Sequence, residues 1–310
     1  MRLGIDIGGT KTAVVALDAA GRVVAHRQAP SGRGARDVIS VAVQVARATL
    51  TVARAGSPVE SVGACMPGLV DPVTGVVRHA VNLDVESLSL AAELAAELGI
   101  PVRVENDVKA AALGAVQLLA GRRSGVVPRS LGYLNLGTGL AAAMIVEGRV
   151  VRGLEGAAGE IGHIPVGGDM VCSCGQVGCL ETLASGTSLA RRWSGAPAGL
   201  FAAARAGDTV ARAAADDLGR GVATAVQTLV LAAGAEHVAV GGGLTGLGEP
   251  LVTAVRQHLH DRSQASPLMA SLRLQDRFEV LPQAAPIAAI GAASLGGQDA
   301  PALAGRDLAG

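Results

Sequence analysis

The sequence predicts an α/β protein built as two like halves. Three observations carry this: a strand–Gly-Gly-Thr–strand hairpin near residue 10, its echo as strand–Gly-Thr-Gly–strand near residue 138, and helices alternating with short apolar strands after each hairpin. Residues 2–7 read as a buried strand, Ala13–Leu17 as a second and Val23–His26 as a third, a meander turning on Gly8-Gly9-Thr10-Lys11. Helical spacing of Val38, Val41, Val45 and Ala48 predicts a helix over 36–55, ended before Gly56. Ser61–Met66 is a strand closed by Pro67-Gly68. Glu86–Leu98 reads as a helix stopped by Gly99 and Pro101, and Val102–Glu105 as a strand. Asn106 or Asp107 then caps a helix to about Ala120.

Gly121–Arg129 reads as an exposed loop, after which the meander recurs as strands 131–136, 140–146 and 149–152. A Gly- and Cys-rich stretch fills 153–180. Helices are expected over 180–194, 199–206 and 210–233, a strand at His237–Val240, a helix over 249–261, a strand at 278–281 and a last helix near 286–295. The tail after Gly296 reads as frayed. The duplication predicts that nucleotide sits in the cleft between the halves.

Composition narrows the function. Lys+Arg and Asp+Glu both number 26, a formal net charge of zero, so the basic excess of a nucleic-acid binder is missing. Half the residues are hydrophobic and 17% charged, which excludes disorder over most of the length. Gly, Pro or a charge interrupts every apolar run, so no transmembrane helix is expected. Asp6 and Lys11 break up the opening segment, so no signal peptide is read and the expected compartment is the cytoplasm. Trp193, Tyr133, Phe201 and Phe278 are the whole aromatic complement, which leaves a core of Ala, Val, Leu and Ile. The only lysines are Lys11 and Lys109.

Four motifs carry chemistry. Asp6-Ile7-Gly8-Gly9-Thr10-Lys11 suits either a phosphate cradle of backbone amides or an ordinary hairpin turn, and Gly137-Thr138-Gly139 repeats the choice. Glu105-Asn106-Asp107 reads as a helix cap or as a general base at the carboxyl end of a strand. Gly159-Glu160-Ile161-Gly162-His163 precedes Cys172-x-Cys174-x4-Cys179, a Cys3His set with the donors of a closed tetrahedral zinc site. Cys65 stands apart as a buried thiol, so no secreted disulfide framework is read.

Asp6-Ile-Gly-Gly-Thr-Lys11, Gly63-x3-Pro67-Gly68, Glu105-Asn-Asp107, Gly137-Thr-Gly139, Gly156-x2-Gly-Glu160-Ile-Gly-His163 and Cys172-x-Cys-Gly-x2-Gly-Cys-x-Glu181 occur in that order. Together they resemble the ROK family (repressors, open reading frames, kinases), most closely its glucokinase-like members, from residue 3 to about 295. The resemblance implies the actin-like, hexokinase-type ATPase fold, with two α/β domains closing on ATP, Mg2+ and a sugar. It places a smaller domain at 1–107, with a C-terminal helix over about 286–310 packed back on it, and a larger one at 108–285 that holds the zinc loop. Asp107 matches the catalytic base, which also contacts the sugar. Gly68, Asn106, Glu160, His163 and Glu181 match the other sugar-binding positions. Asp6 matches the acid near the metal, and Gly8, Gly9, Thr10, Lys11, Gly137, Thr138, Gly139, Gly241 and Gly242 match the nucleotide loops. His163, Cys172, Cys174 and Cys179 match the ligands of a structural Zn2+, with one His163 nitrogen on the metal and the other toward the sugar. A homodimer or homotetramer is common in the family.

Two departures stand out. Leu140-Ala141-Ala142-Ala143 replaces the family's further glycines, and the added Cβ atoms are expected to crowd nucleotide phosphate or adjacent backbone. Asp84-Val85-Glu86 follows Asn82-Leu83 where many members carry Trp. The resemblance implies ATP-dependent phosphorylation of a hexose, glucose foremost. The alternatives are a kinase for fructose, N-acetylglucosamine or N-acetylmannosamine, a sugar-binding sensor without catalysis, and a repressor. The repressor reading is disfavoured because the first strand begins at Leu3 without a preceding helix-turn-helix.

Overall fold

The computed structural model describes residues 1–53, 58–122 and 127–297. Expectations for the end of the first helix, for most of the loop after residue 121 and for the tail beyond 297 lie outside these residues. The strands are β1 (Arg2–Ile7), β2 (Lys11–Leu17), β3 (Val23–Pro30), β4 (Ser61–Met66), β5 (Leu69–Val70), β6 (Val77–Ala80), β7 (Val85–Leu88), β8 (Val102–Asn106), β9 (Ser130–Leu136), β10 (Leu140–Val146), β11 (Arg149–Val151), β12 (His237–Gly241) and β13 (Phe278–Val280). The helices are α1 (Gly34–Ala53), α2 (Leu90–Leu98), α3 (Asp107–Arg122), α4 (Gly186–Arg192), α5 (Leu200–Arg205), α6 (Thr209–Ala233), α7 (Glu249–Ala265), α8 (Pro267–Leu272) and α9 (Ile287–Ser294). No described helix is long and apolar enough to cross a membrane.

Two compact units result. The first comprises Met1–Val127, Arg152–Gly156 and the described residues from Pro286 onward; the second comprises Pro128–Val151 and Ala157–Ala285. Each holds a five-stranded sheet of the same design, ordered β3-β2-β1-β4-β8 in the first and β11-β10-β9-β12-β13 in the second. In both, an antiparallel meander leads into two parallel pairings. The hairpins that suggested a duplication thus open two sheets of identical topology.

Three expectations change. Glu86–Leu98 is not one helix: β7 pairs with β6, and β6 with β5, in a small antiparallel sheet, and α2 begins only at Leu90. Val85 and Leu88 are buried and Glu86 and Ser87 exposed, a pattern too short to separate strand from helix by periodicity. The expected helix over 180–194 is a short turn at Leu180–Thr182, then α4, capped reciprocally by Ser185 and Ser188. The domain boundary also moves, because α3 packs inside the first unit, not the second.

Backbone contact with α9 explains that last change. A Cβ on Gly291 would lie 1.7 Å from the Ala110 carbonyl oxygen, and one on Gly114 would lie 2.0 Å from that of Ile287. The same helix presses on the sheet, where a Cβ on Gly4 or Gly63 would stand 1.9 Å from the carbonyls of Ala289 or Ala292. A chain with four aromatics fills this layer with backbone and methyl groups. Gly291→Ala is expected to destabilise the protein. The better helix propensity of Ala contributes about 1 kcal/mol in its favour, but forcing two helices apart costs about 1–3 kcal/mol or more. Urea denaturation measures the difference, and an unchanged or higher midpoint would contradict the packing argument.

Candidate functional site

In the first unit the carboxyl ends of three parallel strands bring acidic groups into register. Asp6 on β1 lies opposite Cys65 on β4, which lies opposite Glu105 on β8. Ligands of open α/β sheets gather at such strand ends. The Cys65 thiol donates to Asp6 Oδ1 at 3.6 Å and lies 3.7 Å from the Ala288 carbonyl. Burial, then the neighbouring Asp107 carboxylate, pushes Asp6 up to about 7, against the opposing pull of the Cys65 hydrogen bond and the Lys11 ammonium.

Glu105 is not a base waiting for substrate. It is buried, and its Oε2 accepts from Arg152 Nε at 2.8 Å and pairs with a second guanidinium nitrogen at 2.7 Å. Its Oε1 accepts the Asn106 N–H at 2.9 Å. Asn106 makes the helix cap: its Oδ1 accepts from the N–H groups of Val108 and Lys109, and its Nδ2 donates to the Gly68 carbonyl at 3.3 Å. Asp107 then occupies the first turn of α3, partly exposed. Buried Lys109 donates to the Gly156 carbonyl at 2.8 Å, so the segment 152–156 is tied to the first turn of α3 by Lys109 and to the end of β8 by Arg152. Neither Arg152 nor the contact of Lys109 was legible in the sequence. The rarity of lysine was the one available signal.

The first glycine turn closes through Gly8 N–H to the Lys11 carbonyl at 3.0 Å. Ser31 supports it, its hydroxyl donating to the Gly8 carbonyl at 2.6 Å and its N–H to that of Thr10.

The second unit collects the other candidates. Gly137 N–H bonds the Gly139 carbonyl, and the turn receives the N–H groups of Gly186 and Thr187 on its Gly137 and Thr138 carbonyls, at 2.8 and 3.0 Å. Gly241-Gly242 lies beside it: a Cβ on Gly242 would stand 2.5 Å from the Leu136 carbonyl carbon. Glu181 accepts the Leu140 N–H on Oε2 at 2.8 Å. Glu160 is exposed at the start of the turn Ile161–His163. Of the three alanines after the second turn, Ala142 and Ala143 are buried, Ala142 in the core with Leu140 and Met144. Their methyl groups fill the unit's interior, and only Ala141 is partly exposed.

His163, Cys172, Cys174 and Cys179 converge, with all four donor atoms within 4.8 Å of one another. Cys172 Sγ lies 3.7 Å from His163 Nδ1, and Cys174 Sγ lies 3.7 Å from Cys179 Sγ. A tetrahedral ion with metal–sulfur bonds of about 2.3 Å has sulfur–sulfur edges of about 3.8 Å, so the donor set fits an ion of zinc's size. Without a cation the thiols oppose each other's ionisation. Burial and the neighbouring thiols push Cys179 up to about 12, while the Gln176 backbone N–H draws Cys174 down to about 6.

Two outcomes test this geometry. Arg152→Met strands a buried carboxylate and is expected to cost about 3–5 kcal/mol, more than Glu105→Gln, by urea denaturation; equal small losses would show that the pair is dispensable. Asp6 is raised above its ordinary value of 3.8, so in the ligand-free protein its stabilising contribution is full below that pH and is lost as pH rises through about 7. Denaturation midpoints at pH 5.5 and 8 should therefore differ more for the parent than for Asp6→Asn. The same difference in both would refute the shift.

Comparison with known proteins concerns the chain as a whole. The ROK family model matches residues 2–296. A glucokinase of Halalkalibacterium halodurans is 30% identical over 281 residues, covering 83% of this chain and 84% of that protein. An N-acetylmannosamine kinase of Citrobacter koseri is 30% identical over 271 residues, covering 83% and 88%. Among solved structures, a ROK hexokinase from Thermus thermophilus matches with a TM-score of 0.77 at 29% identity, covering 94% of this chain and 96% of that one. A ROK family glucokinase from Streptomyces griseus, in complex with glucose and AMPPNP, matches at 0.72 and 29% identity, covering 95% and 98%.

Proposed function

The chain belongs to the ROK family, and from that premise we propose that this sugar kinase, with its actin-like ATPase fold, transfers the γ-phosphoryl group of ATP to a hydroxyl of glucose. The observation that carries the reading is the placing of acids at the carboxyl ends of neighbouring strands: Asp6 on β1 shares a row with Cys65 on β4 and Glu105 on β8, and Asp107 stands on the first turn of α3, which follows β8 directly.

In this mechanism Asp107 accepts the proton of the attacking sugar hydroxyl as its oxygen bonds to the γ-phosphorus and the bond to ADP breaks. The products are sugar phosphate, ADP and one proton. The remaining hydroxyls are assigned to Gly68, Asn106, Glu160, His163 and Glu181. The turns Gly8–Lys11 and Gly137–Gly139, with Gly241-Gly242, are assigned to the nucleotide. Asp6 would hold Mg2+, which supplies charge neutralisation of the phosphates. Asp6, raised by burial in the absence of a ligand, would be held as the carboxylate by a cation beside it. Zn2+ is assigned to His163, Cys172, Cys174 and Cys179 as a structural ion that fixes the imidazole.

The N-acetylmannosamine kinase has the same 30% identity to this chain as the glucokinase, so an N-acetylated hexosamine is the second reading for the acceptor. The deciding experiment is ADP release with Mg·ATP against glucose, mannose, fructose, N-acetylglucosamine and N-acetylmannosamine. Turnover confined to glucose is the expected result. Turnover on an N-acetylated sugar instead transfers the assignment to the second reading, and none on any sugar, with zinc bound, favours a sensor. Asp107→Asn is expected to lower kcat by about 10²–10⁴-fold with sugar binding largely kept; near-parental kcat would remove Asp107 from the role of base.

A further inference from the structure

The metal loop and the Gly137–Gly139 turn are bound together at three seams, all within the second unit. At the first, Glu181 Oε2 accepts the Leu140 N–H at 2.8 Å, and a Cβ on Gly139 would stand 2.6 Å from that oxygen. At the second, Gly186 and Thr187 donate their N–H groups to the Gly137 and Thr138 carbonyls. Both seams arise from one short run that begins at Cys179, the cap of the Leu180–Thr182 turn. The third seam comes from the other flank of the loop. The Ala142 N–H bonds the Gly159 carbonyl at 2.8 Å, and a Cβ on Gly162 would lie 2.1 Å from the Leu140 carbonyl oxygen.

The two flanks carry different members of the Cys3His set, His163 on one and Cys179 on the other. They are joined by Leu180 N–H to the Ile164 carbonyl and Val166 N–H to that of Gly178. The four donors, if they held a metal, would cross-link both flanks, and both flanks contact residues 137–142. Glu181 also points back at the loop, with Oε1 3.5 Å from the Ser173 hydroxyl and 3.9 Å from Cys172 Sγ. Its carboxylate therefore spans from the metal loop to the backbone of the turn.

We propose that Glu181 is a positioning residue for the nucleotide, bracing the Gly137–Gly139 turn against the metal loop so that phosphate affinity depends on that brace with no sugar bound. The inference rests on the assignment of this turn to the nucleotide. It concerns a step that precedes any contact of Glu181 with sugar.

The test is Mg·AMPPNP binding by titration calorimetry without sugar, with zinc content measured and amide exchange at Leu140 followed in parallel. Glu181→Ala removes the acceptor and is expected to weaken AMPPNP by about tenfold, the size of one charge-assisted hydrogen bond, while exposing the Leu140 amide to exchange. Glu181→Gln retains an oxygen for that N–H and is expected to stay within about twofold of the parent. A role confined to sugar binding leaves both constants unchanged. Chelation of the metal from the parent is expected to weaken AMPPNP to the same degree and to speed Leu140 exchange, which provides a measurement should Glu181→Ala fold poorly. Parental AMPPNP affinity in Glu181→Ala, or after chelation, overturns the brace. If the parent itself binds no AMPPNP, it is the kinase reading that fails, and Leu140 exchange unchanged by Glu181→Ala then overturns the brace as well.

Discussion

Everything in the first unit depends on how closely α9 approaches β1, β4 and α3. The chain has only four aromatic side chains, and at this helix it brings backbone to backbone through glycines and alanines. Close packing of this kind tolerates little change in volume, and it transmits position. It brings the Ala288 carbonyl within reach of Cys65, whose thiol bonds Asp6, so the strand-end row of Asp6, Cys65 and Glu105 is set against a rigid helix. A small-residue core is here the means by which the acidic groups are held in place.

Burial and partners then separate carboxylates that are alike in sequence. Glu105 is neutralised by Arg152, Asp6 is pushed toward the protonated form by burial and by Asp107, and Glu181 is fastened to a backbone N–H. Asp107 sits on the first turn of a helix whose dipole and capped amides favour negative charge. Carboxylates that look alike in the sequence thus stand in different surroundings in the fold. The second unit shows the same economy, since the loop that gathers three thiols and an imidazole also supports the turn assigned to phosphate.

Much of this was legible in local sequence, for physical reasons that are themselves local. Gly-Gly-Thr and Gly-Thr-Gly between apolar runs announce hairpins because few other residues suit so tight a turn, and three cysteines in eight positions with a histidine nearby announce a metal loop because their donors can converge within one chain segment. Val85–Leu88 misled because a four-residue strand leaves the same apolar pattern as the first turn of the helix that follows it. The sequence did not show that Ala142 and Ala143 are both buried in the fold, with Ala141 the partly exposed one of the three. Arg152 gave no signal, since an arginine between glycine-rich segments looks like any exposed charge until a strand end 47 residues away supplies its partner.

The sequence by itself determined the family, the two repeated hairpins, the donor set of the metal loop and the identity of the candidate acids, because each is written in residues adjacent along the chain. Only the tertiary structure decided which unit claims α3, which carboxylate is spent in an ion pair, and which loop bonds to which turn. Those outcomes turn on contacts between segments far apart in the chain, where a missing Cβ or a buried charge has meaning only once its neighbour is in place.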